Sequence, residues 1–320
     1  MVRLRIPGRL LQEAKSNKRY SRFGGTDLAN QPELLVDELA LLGEGPLWLP
    51  ESKTIIWVDI EGMCIHLYTP GTEVKEVISV GERIGAVVPA ADGRMVCALQ
   101  SGFAYLDLTS KSLERIADPE EDQPENRFND GKCDPAGRFW AGTMPLAGDS
   151  PDGALYRLDG DGKISTMLVG VGCSNGLAWD AEATTLYYID TPTGRVDQFD
   201  YDVLTGNIKN RRTAFHLPPG QGSPDGMTID LEGMLWVAHW GGSCVSRWNP
   251  VTGKCLETVS LPVSQVTSCC FGGENLDELY ITSARDGLSE EQLQDEPLAG
   301  GIFKYTPGVR GVAANVFKNR

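Results

Sequence analysis

Six short apolar strands recur along this chain at nearly constant spacing, and that periodicity restricts the fold more than any other feature. They read TIIWVDI (54–60), RMVCALQ (94–100), RFWAGTM (138–144), TLYYIDT (185–191), MLWVAHW (234–240) and ELYITSA (278–284). Their starts lie 40, 44, 47, 49 and 44 residues apart. Each follows a turn, and most of these turns are rich in small or turn-forming residues, as in Ala91-Asp92-Gly93, Pro135-Ala136-Gly137 and Leu231-Glu232-Gly233. A first strand lies upstream of each turn: EGPLWL, GAVVPA, DGKCD, NGLAWD, DGMTID and SCCFG. A third strand follows, such as CIHLYTP or GIFKYTP, alternating polar and apolar residues as a half-buried strand does. A fourth ends the unit, as in Cys255-Leu256-Glu257-Thr258-Val259. About four strands in about 45 residues, repeated six times, predict an all-β, six-bladed β-propeller. A β-sandwich with regular hairpins suits six phased units poorly.

This reading divides the chain into a basic extension (1–37) and a propeller domain (38–320). A closed ring needs the two chain ends to meet, and residues near Leu39–Leu42 or Val312–Phe317 are the expected closing segments. Charge is uneven. The net charge is −15, yet residues 1–22 hold seven Lys or Arg against Glu13 alone, leaving −21 on the remainder. So acidic a body repels phosphate backbones and argues against a nucleic-acid partner. The basic segment is read as a solvated tail or short surface helix, with a transit-like peptide as the alternative.

No apolar run approaches a membrane span. The eight cysteines include the adjacent Cys269 and Cys270 but no C-x-x-C pair. Most lie in apolar strand-like contexts, so free buried thiols and a reducing, cytoplasmic compartment are expected. No sequence feature specifies an assembly, and a monomer or weak dimer is expected.

The first strands carry the chemistry. Four of them place a polar residue before a glycine: Glu44-Gly45, Asp130-Gly131, Asn175-Gly176 and Asp225-Gly226. Blade two has Ile84-Gly85 there, and blade six has Thr267-Ser268. One Asn-Gly or Asp-Gly alone is ordinary turn chemistry. In a propeller the first strand of each blade lines the central channel, so four in register would converge. With Asn129 nearby, they make an all-oxygen donor set suited to Ca²⁺, Mg²⁺ or Mn²⁺. Carboxylates also bind Zn²⁺, which stays open. Ser-His-Asp chemistry has only His66, His216 and His239 to draw on. His66 and His239 fall in strand patterns and read as packed or surface groups, although His239 follows the Pro-Asp-Gly strand and could lie near the channel. The Gly241-Gly242 and Gly272-Gly273 pairs read as turns, and no phosphate loop or dinucleotide fingerprint is present. The acid-rich segment Asp118–Glu125 reads as an exposed loop, or as a lid beside Arg127.

From about Gly43 onward the chain resembles the regucalcin and gluconolactonase family of six-bladed propellers. The resemblance rests on RFNDGKCDPAGRFWAGTM, SNGLAWD, YYID, FDYDVLTGNIKNRR, PDGMTIDLEGMLWVA, NPVTGKCLETVSLPV, TSCCFGG and ARDGL. It implies one divalent metal, Ca²⁺ first, held by Glu44, Asn175 and Asp225. It implies a sugar lactone as substrate, with Arg127, Asn129 and Asp130 as the substrate-binding residues. Asp225 would be both ligand and general base in opening an aldonolactone to its acid. Family members often place an acid after AGTM; here only Asp149 is near, which leaves substrate preference open. The same resemblance implies two alternatives: a calcium-binding regulatory protein without essential catalysis, and an esterase acting on organophosphates.

Overall fold

Six antiparallel sheets of four strands follow one another along the chain in this computed structural model, which describes residues 31–148 and 150–319. The fold is the six-bladed β-propeller expected from the spacing. Blades one to five are simple meanders spanning residues 43–79, 84–117, 126–171, 174–216 and 223–260. Blade six takes three strands from residues 266–305 and a fourth from near the start of the chain. The first strand of each blade packs against the first strands of its neighbours and lines the ring's centre. These innermost strands are Gly43–Leu49, Ile84–Pro89, Asn126–Cys133, Ser174–Trp179, Ser223–Ile229 and Val266–Gly272.

The ring closes differently from expectation. Glu33–Val36 pairs antiparallel with Ile302–Tyr305 and completes blade six. This short strand lies just upstream of Leu39–Leu42, inside the stretch read as an extension. Its four residues, Glu-Leu-Leu-Val, are apolar enough to bury Val36 almost completely. Leu42 contributes only a single bridge, to Ala284.

Val312–Phe317 has another place. The carboxy-terminal tail leaves blade six where the Gly311 amide donates to Leu276 O (2.7 Å), and the Leu231 amide of blade five donates to Arg310 O (2.8 Å). It then reaches blade three, where the Asn315 side chain donates to Cys133 O (3.2 Å). Beyond that, Phe317 exchanges backbone bonds with Pro89 and Ala91 of blade two. Blades five and six lie across the ring from blades two and three. The tail therefore crosses the end of the channel where the innermost strands finish, away from Glu44.

Two features hold the sheets together. Trp57, Trp140, Tyr188, Trp236 and Tyr280, one in the second strand of five blades, are each less than 2 % exposed. They fill the wedge between neighbouring sheets, where a large rigid side chain excludes the most water. The repeated Asp-x-x-Gly-x-x-Trp turns add polar staples. Asp134 accepts from the Ala136 and Arg138 amides, the Arg138 guanidinium (2.6 Å), Trp140 Nε1 (2.9 Å) and the Tyr201 hydroxyl (2.8 Å). Asp230 repeats the pattern with Glu232, Met234, Trp236 and Arg247. Gly137 and Gly233 close these turns at φ 87° and 77°, in the left-handed region that favours glycine.

The 118–125 segment is the expected loop, exposed over 121–125, and buried Glu120 anchors it by accepting from the Thr143 and Tyr156 hydroxyls at 2.8 and 2.9 Å. A short helix, Glu290–Asp295, stands between the second and third strands of blade six. Its capping box, Ser289 with Gln292, is legible in the sequence as S-x-x-Q. Asp149 and residues 1–22 lie outside the described residues.

Removing a fully buried carboxylate strands its donors. Asp134→Ala is expected to lower unfolding free energy by about 3–5 kcal/mol, the usual cost of breaking a buried ion pair. Chemical denaturation measures it, and a loss under about 1 kcal/mol would mean that the staple contributes no more than an exposed pair.

Candidate active site at the channel mouth

Every innermost strand carries one extra residue relative to its neighbour. The register slips between Glu44 and Leu47, Ile84 and Ala86, Phe128 and Asp130, Asn175 and Leu177, Pro224 and Met227, and Val266 and Ser268. Such a bulge bends the strand and re-aims the side chains beside it. Blade-to-blade packing then requires small residues there. A Cβ on Gly176 would stand 2.5 Å from Met227 Cβ, and one on Gly226 would strike the Ser268 side chain. The polar-Gly pairs read from the sequence are thus a bulge with its packing glycine. In blade three the bulge falls at Asn129, so Asp130 follows the bulge, whereas Asn175 precedes it in blade four.

Glu44, Arg127, Asn129, Asp130, Asn175 and Asp225 are all buried. Glu44 holds its proton well above the ordinary carboxylate range. Burial is the main cause, the charges of Asp225 and then Asp130 add to it, and the Gly45 amide (2.9 Å) and Arg127 oppose it. Asp225 is raised in the same way, by burial and then Asp130, against the Asn175 amide, Arg127 and the Gly226 N–H. Carboxylates from blades one, three and five therefore act on one another although they lie far apart in sequence. Asp130 is raised by burial and eased by Lys132, whose ammonium donates to Met227 O at 2.7 Å.

Asn175 completes the group. Its Nδ2 donates to Thr191 Oγ1 (2.9 Å), which in turn donates to Pro224 O (2.8 Å). Its Oδ1 is buried without a hydrogen-bond partner. A buried amide oxygen left unpaired ordinarily costs about 1–3 kcal/mol. Held near ionisable carboxylates, it is an acceptor that no protein donor satisfies. Glu44, Asn175 and Asp225 together form a hard-oxygen set able to hold a divalent cation.

Arg127 stands beside them. Its Nη1 donates to Asn129 Oδ1 (2.6 Å) and to Phe128 O (3.1 Å), and it makes no ion pair among the described residues. Asn129 Nδ2 donates to Ser174 O at 2.8 Å. Both ends of the Asn129 amide are engaged by protein, which fixes the Arg127 guanidinium. Cys173 was not singled out in the sequence. Its Sγ lies 3.6 Å from Asn129 Nδ2 and 3.5 Å from Met144 Sδ. Burial, then the charge of Asp225, pushes its thiol up to about 12. Its position directly before Ser174-Asn175 was the available signal.

The histidines stay out of this group. Buried His239 bonds to Gln221 O (2.7 Å) and to the Ser246 hydroxyl, and His66 stacks on Trp57 at 5.0 Å. All eight cysteines are free, four of them buried and four half-buried. No helix among the described residues is long and apolar enough to cross a membrane. A cleft of about 360 Å³ lined by Arg138, Asp159, Thr205 and Lys318 lies by the tail, on the opposite face, and shares no residue with the site.

Known proteins are similar to this chain in sequence and fold. The SMP-30/Gluconolactonase/LRE-like region family matches residues 42–285. Regucalcin of Xenopus laevis is 43% identical over 291 residues, 89% of this chain and 97% of its own length. The putative sugar lactone lactonase YvrE of Bacillus subtilis (strain 168) is 40% identical over 270 residues, 84% of this chain and 92% of its own. The crystal structure of a calcium-binding protein, regucalcin, from Agrobacterium tumefaciens str. C58 superimposes with a TM-score of 0.86 at 27% identity, covering 90% of this chain and 97% of that one.

The raised carboxylates predict a pH response of definite sign. Below the ordinary carboxylate pKa of about 4, Glu44 and Asp225 are protonated in both folded and unfolded chains and cost nothing. As pH rises past it the unfolded chain ionises freely while the folded chain must bury charge, so these groups lower stability until their folded pKa is passed. Chelator-treated protein should therefore melt at falling temperature over this range, and a divalent cation should remove the fall. Glu44→Gln should flatten it; identical pH profiles for wild type and variant would show that Glu44 carries no such penalty.

Proposed function

The chain belongs to the SMP-30/gluconolactonase/LRE-like family, and from that premise we propose that it is a divalent-metal-dependent hydrolase opening a sugar lactone to its aldonic acid. One observation supports metal dependence above the others: the buried, unpartnered Asn175 Oδ1 among the carboxylates Glu44 and Asp225. Glu44, Asn175 and Asp225 would hold the ion, with Ca²⁺ the first candidate by its preference for oxygen donors. When bound, the ion supplies Lewis-acid polarisation of the ester carbonyl.

The remaining work falls to side chains. Asp225, ionised once the like charge around it is offset, takes a proton from the water that attacks the lactone carbonyl carbon. The bond to the ring oxygen then breaks, and Asp225 returns the proton to that oxygen as it becomes a hydroxyl. Arg127, locked by Asn129 and the Phe128 carbonyl, keeps its other N–H groups for sugar hydroxyls or the developing oxyanion. Asn129 positions Arg127, and Asp130, eased by Lys132, keeps the channel below the reacting atoms polar.

The A. tumefaciens relative is described as a calcium-binding protein, and a purely ion-binding role is the second reading. It would leave a buried arginine without an ion pair and without use. D-Glucono-1,5-lactone hydrolysis, followed by proton release after chelation and resupply of Ca²⁺, Mg²⁺, Mn²⁺ or Zn²⁺, separates the two. Activity should return with metal. Asp225→Ala should lose about 10²–10⁴-fold in kcat, the range for a positioned general base, and bind metal more weakly. Arg127→Met should lose roughly 10²–10³-fold with metal affinity retained. Full turnover by Asp225→Ala would eliminate its catalytic role. A wild type that binds metal yet opens neither this nor other aldonolactones would favour the binding role.

A further inference from the structure

Blade one carries a second cluster of donors that the channel chemistry does not use. Asp59 ends the second strand, Thr54–Asp59, and Cys64 begins the third, Cys64–Thr69. The two are direct partners across the hairpin, and His66 partners Trp57 one step further along the same face. One ligand atom from each of Asp59, Cys64 and His66 lies within 4.8 Å of the other two. Bonds of about 2.0–2.3 Å to oxygen, nitrogen and sulfur let one ion touch all three after small adjustments.

Each donor is already oriented. Asp59 Oδ1 accepts from the Leu42 and Gly62 amides (2.9 and 2.8 Å), whereas Oδ2 accepts only from Leu41 (2.8 Å) and keeps a lone pair. The His66 ring lies flat on Trp57, with centroids 5.0 Å apart and planes 8° apart, and its Nε2 stands 3.2 Å from Cys64 Sγ. Such outer contacts fix ligand geometry around a metal. Glu38 adds negative charge toward both Cys64 and His66, with Lys75 the opposing cation. Cys64 is half-buried and the least enclosed of the three residues.

We infer that Asp59, Cys64 and His66 form a second cation site, selective for a borderline-soft divalent ion such as Zn²⁺ and separate from the oxygen-lined channel. The donor types set this preference: a thiolate and an imidazole with one carboxylate suit Zn²⁺, whereas they suit Ca²⁺ and Mg²⁺ poorly. Binding releases the Cys64 proton and replaces the thiol–imidazole contact with two metal bonds. Asp59 pairs with Gly43 in the ladder, next to Glu44, and Glu61 in the connecting turn pairs with Arg83 at 2.9 Å. The site therefore lies on the face of the ring that carries the channel mouth, on residues of its own.

Cobalt(II) is the probe, because a cysteine thiolate bound to it gives a near-ultraviolet charge-transfer band that oxygen ligands do not. The full chain is stripped of metal and titrated with Co²⁺, then Zn²⁺ is added as competitor. The band is expected in wild type and in Glu44→Gln, whose channel set is broken, and Zn²⁺ should abolish it. Cys64→Ser should lose it while Cys173→Ser, which removes the thiol beside the channel, keeps it. Folded His66→Ala should weaken Co²⁺ binding by more than the roughly 10–100-fold that outer-shell changes cost. Absence of the band from folded wild type, its loss in Cys173→Ser alone, or unchanged affinity in His66→Ala would each overturn the assignment.

Discussion

Like charges buried within reach of one another are the constraint this structure is built to sustain. Glu44, Asp130 and Asp225 arrive from blades one, three and five, and burial and mutual repulsion raise Glu44 and Asp225 together. Left free, blades bearing them would gain by moving apart. The ring removes that freedom. The strand Glu33–Val36 locks blade six to the start of the chain, and the carboxy-terminal tail ties blades six and five to blades three and two on the opposite face. The electrostatic cost is thus held at one mouth while the structure that opposes it lies elsewhere.

The contrast between two kinds of buried acid makes this division concrete. Asp134 and Asp230 have no exposed side-chain surface and are saturated with amide, indole and guanidinium donors. They are as buried as Glu44 and Asp225, yet both oxygens of each accept from protein donors. Glu44 accepts one bond, from the amide of the next residue. Burial alone does not mark a working carboxylate in this fold; a shortage of donors does. The unpaired Asn175 Oδ1 meets the same criterion, and a cation would resolve all three deficits at once.

Much of this was legible in the sequence, because the propeller repeats at the level of single strands. Six apolar strands at spacings of 40 to 49 residues leave few alternatives, and the polar-Gly pairs marked the channel. What sequence could not supply was geometry set by neighbours. The bulges were invisible because an extra residue is defined only against a partner strand; for the same reason Asp130 falls after its bulge while Asn175 falls before its own. Glu33–Val36 was passed over because four residues, three of them apolar, carry too little pattern to read as a strand. Val312–Phe317 has strand-like character but finds its partners across the ring. Glu120 looked solvated within a run of acids, and only the folded chain brings the Thr143 and Tyr156 hydroxyls to it.

Blade one contributes to both donor clusters through one backbone arrangement. Gly43 and Asp59 face each other in the ladder, so Glu44 turns into the channel through its bulge while Asp59 joins the hairpin to Cys64. One blade then contributes one hard oxygen donor, Glu44, inward and sulfur, nitrogen and oxygen donors at the adjoining turn. Hard cations favour the first kind of donor and disfavour the second. Glu61, in the turn between Asp59 and Cys64, pairs with Arg83, and the charges of both residues reach Arg127. A change in charge at the turn would therefore be felt at the guanidinium that Asn129 holds in place, so an ion bound at the proposed site would act electrostatically on the proposed channel chemistry.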